Sequence, residues 1–229
     1  MSIAYLDRFE NLVGRSDLSH AVRNWMAVED QLEIEFPRDY KEWSSNYNTI
    51  VICHELTVFN YFDEVSRLAA DLLQITSRYE GSRDGFTFQR DQVYDAGGIN
   101  TGSKEPLPLY PNPGGLLLWA ENSSCSYFWD TSNSNPDKWN VVVTDNEEYW
   151  QEFDMGFMKF LVKFILHELP FPEGLSRQWP WIPAYQECIG TESNRLQFTT
   201  PVRWREYFEE SYRQDQMNLG GLEWVERFR

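Results

Sequence analysis

The sequence predicts an α+β fold in which a central, mainly antiparallel sheet is flanked by helices. Three strand-like runs follow one another between residues 115 and 144 with short polar links, which is typical of an antiparallel meander. Segments with apolar residues at helical spacing precede and follow this region. A run rich in β-branched residues, TIVICHELTVF, lies between two predicted helices and adds at least one more strand.

The first elements are predicted to be helices. Apolar residues between positions 3 and 13 recur at helical spacing. A second helix is expected over residues 18–32, with Asp17 as its N-cap. Its inward-facing residues should be Trp25, Val28 and Leu32.

Pro37 marks the expected start of a third helix, because a proline loses no hydrogen bond at the first helical position. This helix should carry Tyr40 and Trp43. TIVICHELTVF is then predicted to form one strand or a hairpin pair. The amphipathic segment EVSRLAADLLQITSRY, residues 64–79, is predicted to be a helix.

Turn-forming residues are dense between positions 80 and 113, so this region is predicted to be a connecting loop with one short strand near FTFQRDQVY. The meander follows. GLLLWAE and SYFWDT should form a hairpin around Asn122-Ser123-Ser124, and WNVVVT should add a third strand. Large aromatic residues on these strands are expected to pair across one face of the sheet.

The segment TDNEEYWQEFDMGFMKFLVKFILHEL, residues 144–169, is predicted to be a long helix. Thr144 and Glu147 fit a capping box at its start, and Pro170 and Pro172 should end it. The domain boundaries predicted from these patterns are residues 1–172 for the main domain and 173–229 for a C-terminal extension. The extension should contain an extended crossing and a helix near residues 203–216.

The chain of 229 residues carries a net charge of −16. Nucleic-acid binding and attachment to an anionic membrane both require a positive face, so this charge disfavours them. An acidic surface suits a basic protein partner, because opposite fields accelerate encounter. Solubility alone would explain the charge equally well. The aromatic fraction of 16% exceeds the needs of a compact core, so some rings are expected to serve a surface.

The N-terminal residues include acids and lack an uninterrupted apolar run, and no stretch approaches the ~20 apolar residues of a membrane helix. The three cysteines, Cys53, Cys125 and Cys188, are far apart and odd in number. This pattern argues against a disulfide framework. The sequence therefore predicts a cytoplasmic protein.

No catalytic, cofactor-binding or metal-binding constellation is evident. HELTV and HELPF lack the second histidine of a metal-binding HExxH motif, and no GxSxG elbow is present. Cys53 and His54 should point to opposite faces of a strand, which separates their side chains. Catalytic, cofactor and metal residues are accordingly predicted to be none. Aromatic and acidic residues could still line a carbohydrate-binding or hydrolytic cleft, which stays open as an alternative.

Four segments occur in an order that resembles a known family: WMAVEDQLEIEFPRDYKEW, PNPGGLLLWAEN, FWDTSNSNPDKWNVVV and YWQEFDMGFMKFLVKFI. Together they are similar to the SUKH superfamily, the Smi/Knr-like domain. The resemblance covers roughly residues 18 to 168. It rests on Trp25 and Glu29, on Pro37 and Tyr40, on Gly115–Trp119, on Trp139–Val143 and on Phe157–Leu161.

The resemblance implies a sheet flanked by helices and a non-enzymatic, protein-binding role. Bacterial members are associated with immunity against polymorphic toxins, many of them nucleases, and fungal members act in cell-wall and signalling regulation. A toxin with a basic substrate groove would complement a protein of charge −16. A regulatory scaffold of the same fold, with no toxin involved, is the alternative within the family.

Partner-binding residues are predicted at the ends of the meander: Trp129, Asp130, Glu121 and Asp145. The aromatic ring would anchor the contact while the carboxylates pair with basic residues of a toxin domain. Core packing is the competing interpretation for Trp129. For the three acids, the competing interpretation is a solvated charge or a helix cap.

Overall fold

The computed structural model describes residues 2–20, 22–63, 87–145, 149–170, 183–192 and 195–217. None of the helices in these ranges combines the length and apolar character needed to cross a membrane. The ranges contain five α-helices and a short 3₁₀ turn at Pro136–Lys138. The helices are α1 (Ser2–Val13), α2 (Trp25–Leu32), α3 (Arg38–Ser44), α4 (Phe157–Ile165) and α5 (Val202–Met217).

Ten strands form one open sheet in the order β10-β9-β1-β2-β5-β6-β7-β8-β3-β4. Every neighbouring pair is antiparallel except β3 and β8, so the predicted α+β fold is confirmed. The strands are β1 (Ile50–Ile52), β2 (Leu56–Val58), β3 (Thr87–Tyr94), β4 (Asn100–Pro108), β5 (Leu116–Glu121), β6 (Ser126–Asp130), β7 (Asn140–Thr144), β8 (Tyr149–Phe153), β9 (Tyr185–Glu192) and β10 (Arg195–Thr199).

The predicted meander is present as β5, β6 and β7. Leu117, Trp129 and Val141 lie side by side across it, so all three side chains point to the same face. Gly115 begins this region where the chain passes close to itself. A Cβ atom there would lie 2.5 Å from the Leu109 carbonyl carbon, so any larger residue would push the two segments apart.

The predicted helix over residues 144–169 is wrong in its first half. Residues 149–153 form β8, which pairs with β7 on one side and β3 on the other. Thr144 ends β7 and is fully buried, so it caps no helix; Glu147 lies outside the described residues. The helix begins after Gly156. Trp150 and Phe153 suited either a helix stripe or a strand, and pairing with two neighbouring strands decided for the strand.

The second helix is shorter than predicted, because residues 18–20 and 22–24 are not helical and α2 begins at Trp25. Asp17 does not cap it. The Asp17 carboxylate instead accepts the Val202 N–H at 2.7 Å, at the first residue of α5. Val28 is buried, whereas Trp25 and Leu32 are partly buried against the core.

Three further expectations are corrected. The region 80–113 holds the expected strand as β3, but β4 pairs with it and was not predicted. Cys53 and His54 lie in the turn between β1 and β2 with φ values of 53° and 61°, and not on a strand. β9 and β10 were missed within the extension, whereas the helix near residues 203–216 is confirmed as α5.

The predicted helix 64–79 and the domain boundary at residue 172 lie outside the described residues.

The core divides into two clusters, one on each face of the sheet. On the face covered by helices, α3 and α4 pack on β5 and β6 through fully buried rings. Tyr40 lies 4.8 Å from Trp129 and 5.1 Å from Phe157, both edge-on, which is the geometry aromatic pairs prefer. The opposite face is smaller and is built around Phe128 and Trp150.

The N-terminal segment and the C-terminal strands meet at the β10–β9 end of the sheet, next to β1. β9 pairs with β1, and the buried Glu187 carboxylate on β9 accepts the Ser16 hydroxyl and, at 2.7 Å, the Asn48 N–H. The Trp204 indole on α5 donates to the Val13 carbonyl at 2.6 Å. These contacts hold both ends of the described chain against one edge of the sheet.

Replacing Tyr40 with Phe should lower the free energy of unfolding by roughly 1–3 kcal/mol, because two buried backbone groups lose their partner. The Tyr40 hydroxyl donates to the Phe59 carbonyl at 2.7 Å and accepts the Tyr61 N–H at 2.9 Å. Urea unfolding measures the change. Tyr5→Phe, at a partly exposed tyrosine on α1, is the control and should be nearly neutral. Equal effects of the two substitutions would contradict this account.

Candidate functional site: a groove between two helix starts

A groove of about 480 Å³ opens on the helical side of the sheet. Its walls are the first turn of α3, the 3₁₀ turn and the first turn of α4, and Tyr5 of α1 lies at one end. The lining residues that bear on its chemistry are Asp39, Glu42, Trp129, Asp137, Phe157 and Lys159. Rings therefore form the floor, and charged side chains form the rim.

A second hollow of about 410 Å³ continues the groove toward the start of β7. The two hollows share Asp137, Trp139 and Gly156 as lining residues. Asp154 and Asn140 line the far part. The combined surface is large enough for an extended segment or several side chains of a partner.

The 3₁₀ wall is fixed by hydrogen bonds. The Asp137 carboxylate accepts the Arg38 N–H at 2.9 Å and also binds the Arg38 guanidinium, which ties the wall to α3. The Trp139 indole donates to the Asn133 carbonyl at 2.7 Å. Asn135 caps the turn by accepting the Asp137 N–H at 3.1 Å. These contacts fix the position of the 3₁₀ turn relative to α3.

Asp39 is the central acid of the groove. Its Oδ2 atom accepts the Met158 N–H at 3.0 Å, so it caps α4 from a different helix. Burial raises the pKa of Asp39; backbone hydrogen bonds oppose this shift, and the negative charges of Asp137 and Glu42 add to it. Gly156 leaves room for this contact, because a Cβ there would lie 3.0 Å from Asp39 Oδ2.

One of the four predicted binding residues, Trp129, lines this groove, and a second, Asp130, is paired with a residue that lines the second hollow. Trp129 lines its floor, but its side chain is fully buried, which supports the core-packing interpretation for most of the ring. Asp130 ends β6 opposite Asn140, which lines the second hollow. Its Oδ1 atom accepts the Ser132 N–H at 2.9 Å, at the start of the loop that leads to the 3₁₀ turn.

The other two predicted residues lie at the opposite end of the meander. Glu121 ends β5, and Asp145 follows the last residue of β7. Asp145 accepts the Tyr149 N–H at 3.0 Å and so links the end of β7 to the start of β8. Burial, with a further contribution from Asp145, raises the pKa of the Cys125 thiol to about 12. The structure therefore separates Glu121 and Asp145 from Trp129 and Asp130.

Sequence analysis missed Asp39, Glu42, Asp137 and Asp154 as site residues. Asp39 occupies the first turn of α3, where an acid is expected for helix stability alone. Asp137 belongs to SNSNPDK, which carries only a turn signal. The three-residue spacing of Asp39 and Glu42, which places both on one helix face, was the available signal.

No group of three or more His, Cys, Asp or Glu side chains is placed to hold a metal ion within the described ranges. A serine, a histidine and a carboxylate do meet at Glu187, away from the groove. Ser16 donates to Glu187, however, and His20 Nε2 lies 3.4 Å from the same carboxylate, so no histidine activates the serine.

Replacing Asp39 with Asn should change how stability depends on pH. A raised carboxyl pKa means that the folded state holds the proton more tightly than the unfolded state. The free energy of unfolding of the unmodified protein should therefore fall as pH rises from the ordinary value of 3.8 through the raised pKa. Asp39→Asn removes this dependence, so its stability relative to the parent should increase across that window.

Urea unfolding of both proteins at a series of pH values measures the difference. Asp91→Asn, at an exposed position on β3, is the matched control. Parallel stability curves for the parent and Asp39→Asn would show that the Asp39 carboxyl does not titrate as described.

Comparison with known proteins is consistent with this architecture. A search of curated proteins finds no match to this chain. The family comparison matches residues 23–161 to SUKH_6, described as SMI1-KNR4 cell-wall. The matched range runs from just before α2 into α4 and contains the meander and nearly all of the groove. Because this match covers more than half of the chain, the protein belongs to the SUKH_6 (SMI1-KNR4 cell-wall) family.

Proposed function

We propose that this protein is a non-enzymatic binding module of the immunity type, which neutralises a basic toxin domain by covering its working surface. The family match carries the proposal, because this family includes immunity proteins and its members are generally non-catalytic. The net charge of −16 supports it independently. A nuclease toxin is one class of partner that such a charge would complement.

The groove is the contact face that the geometry favours. It is preformed, it has an apolar floor, and Asp137 and Asp154 on its rim are exposed. Asp130 adds another acid at the end of β6, next to a rim that also carries Arg38, Lys138 and Lys159. Contacts of this kind place a packed centre inside a polar border, which is the usual anatomy of a protein interface. Trp129 would support the floor from below, since its side chain is buried.

Glu121 and Asp145 offer a second acidic surface at the other end of the meander. Glu121 and Asp145 lie at the end of the meander away from the groove, so one compact interface would not cover both surfaces. The two surfaces are therefore separate proposals for the partner face, and the groove is the preferred one because it has a cavity as well as charge.

A carbohydrate-binding or hydrolytic cleft is the competing function, since carboxylates and tryptophans do converge on the groove. The rings argue against it. Trp129 is fully buried and Trp139 is 4% exposed, so neither offers an open face on which a sugar could stack. A glycan array that shows specific binding would favour this alternative. A regulatory scaffold is favoured instead if no toxin is encoded beside the gene.

Co-expression with the toxin encoded by a neighbouring gene tests the proposal. The intact protein should restore growth and form a complex with the toxin. Replacing Asp130 and Asp154 together with Lys should slow association by roughly tenfold at low salt, because rim charges act mainly on the association rate. Stopped-flow or surface plasmon resonance measures this rate.

Two double variants serve as controls for the face. Glu121→Lys with Asp145→Lys tests the far end of the meander, and Glu206→Lys with Glu209→Lys tests exposed acids on α5. Each changes the net charge by the same amount as the groove variant, so a general charge effect would slow all three equally. Equal slowing would reject the groove as the contact face, and absence of rescue by the intact protein would reject the immunity role.

A further inference from the structure

We propose that the groove is a receptor for one arginine side chain of the partner, which Asp39 binds through its carboxylate. This inference rests on the proposed function only in taking the partner to be a basic protein. It assigns the chemistry that the groove recognises, and it does not depend on which toxin is bound.

Asp39 is an acid without a cation. Among the described residues, its carboxylate accepts backbone N–H groups, including that of Met158 at 3.0 Å, but forms no ion pair with Lys, Arg or His. Asp137, the neighbouring acid on the opposite wall, already binds the Arg38 guanidinium. A carboxylate offers about four acceptor positions, so Asp39 retains capacity for a guanidinium.

The electrostatic surroundings of Asp39 also favour an incoming cation. Its partial burial and the charges of Asp137 and Glu42 all disfavour ionisation, and they raise its pKa. A cation placed beside the carboxylate would reverse this balance. Binding should therefore release a proton when it is measured at a pH where Asp39 is partly protonated.

The shape and lining of the groove favour arginine over lysine. The partly exposed side chains of Tyr5 and Pro136 also line the groove, and the aliphatic stem of a long side chain would pack against them. Guanidinium is less strongly hydrated than ammonium and loses less on entering such a site.

Lys159 provides an internal check on this assignment. It lines the groove on the first turn of α4, yet forms no ion pair with Asp39. Its positive charge should repel an incoming arginine, so Lys159→Gln should tighten binding. A groove that served an anionic ligand would lose affinity on the same substitution.

The test titrates the full-length protein with Nα-acetyl-arginine amide and follows backbone amide shifts by NMR. Saturable binding at the groove is expected with a dissociation constant on the order of 1 mM, which corresponds to a single well-placed side chain. The neutral isostere Nα-acetyl-citrulline amide should bind at least about tenfold more weakly, because it lacks the charge. The lysine analogue should lie between them.

Asp39→Asn should weaken arginine binding by about tenfold and abolish proton release, which calorimetry in two buffers of different ionisation enthalpy measures. Lys159→Gln should strengthen binding by about threefold, because it removes a positive charge from the groove. This substitution leaves the hydrogen bond from Met158 to Asp39 intact, so it still tests the inference if Asp39→Asn folds poorly. Equal binding of arginine and citrulline, or no saturable binding, would overturn the inference. The growth-rescue experiment would then still decide the proposed function, since its success requires only that a toxin binds.

Discussion

The packing of Tyr40 against Trp129 and Phe157 is the contact on which the architecture depends. The ring of Tyr40 on α3 lies 4.8 Å from the ring of Trp129 on β6. It lies 5.1 Å from the ring of Phe157 on the first turn of α4. The Tyr40 hydroxyl also joins the backbone on both sides of Asn60. Because two helix starts and the sheet share this ring, their relative positions are fixed together.

The groove is a consequence of that contact. Two helices that begin over the same strand bring their N-terminal turns side by side, and Asp39 on one turn caps the other. The carboxylate that completes α4 is thus partly buried and faces the cavity. A single acid thereby has a structural role and is placed where a partner's cation could reach it.

Strands β9 and β10 lie outside the family match and extend the sheet beyond β1. β9 pairs with β1, and Glu187 binds Ser16 and Asn48, so N-terminal and C-terminal segments meet away from the groove. Pairing covers a strand edge that would otherwise present unpaired backbone groups. Among the described parts of these segments, Tyr5 of α1 is the one residue that lines the groove.

The sequence by itself determined the meander, the family and, to within one residue, the start of α3, which begins at Arg38 with Pro37 as its N-cap. Local alternation, turn residues and motif order specify these features. It did not determine the state of residues 149–153, whose apolar spacing fits a helix or a strand until β3 and β7 supply pairing on both sides. It also indicated Trp129, which lines the groove, but it did not indicate Asp39, Asp137 or Asp154. Those acids come from segments far apart in the chain, and only tertiary packing brings them to one cavity.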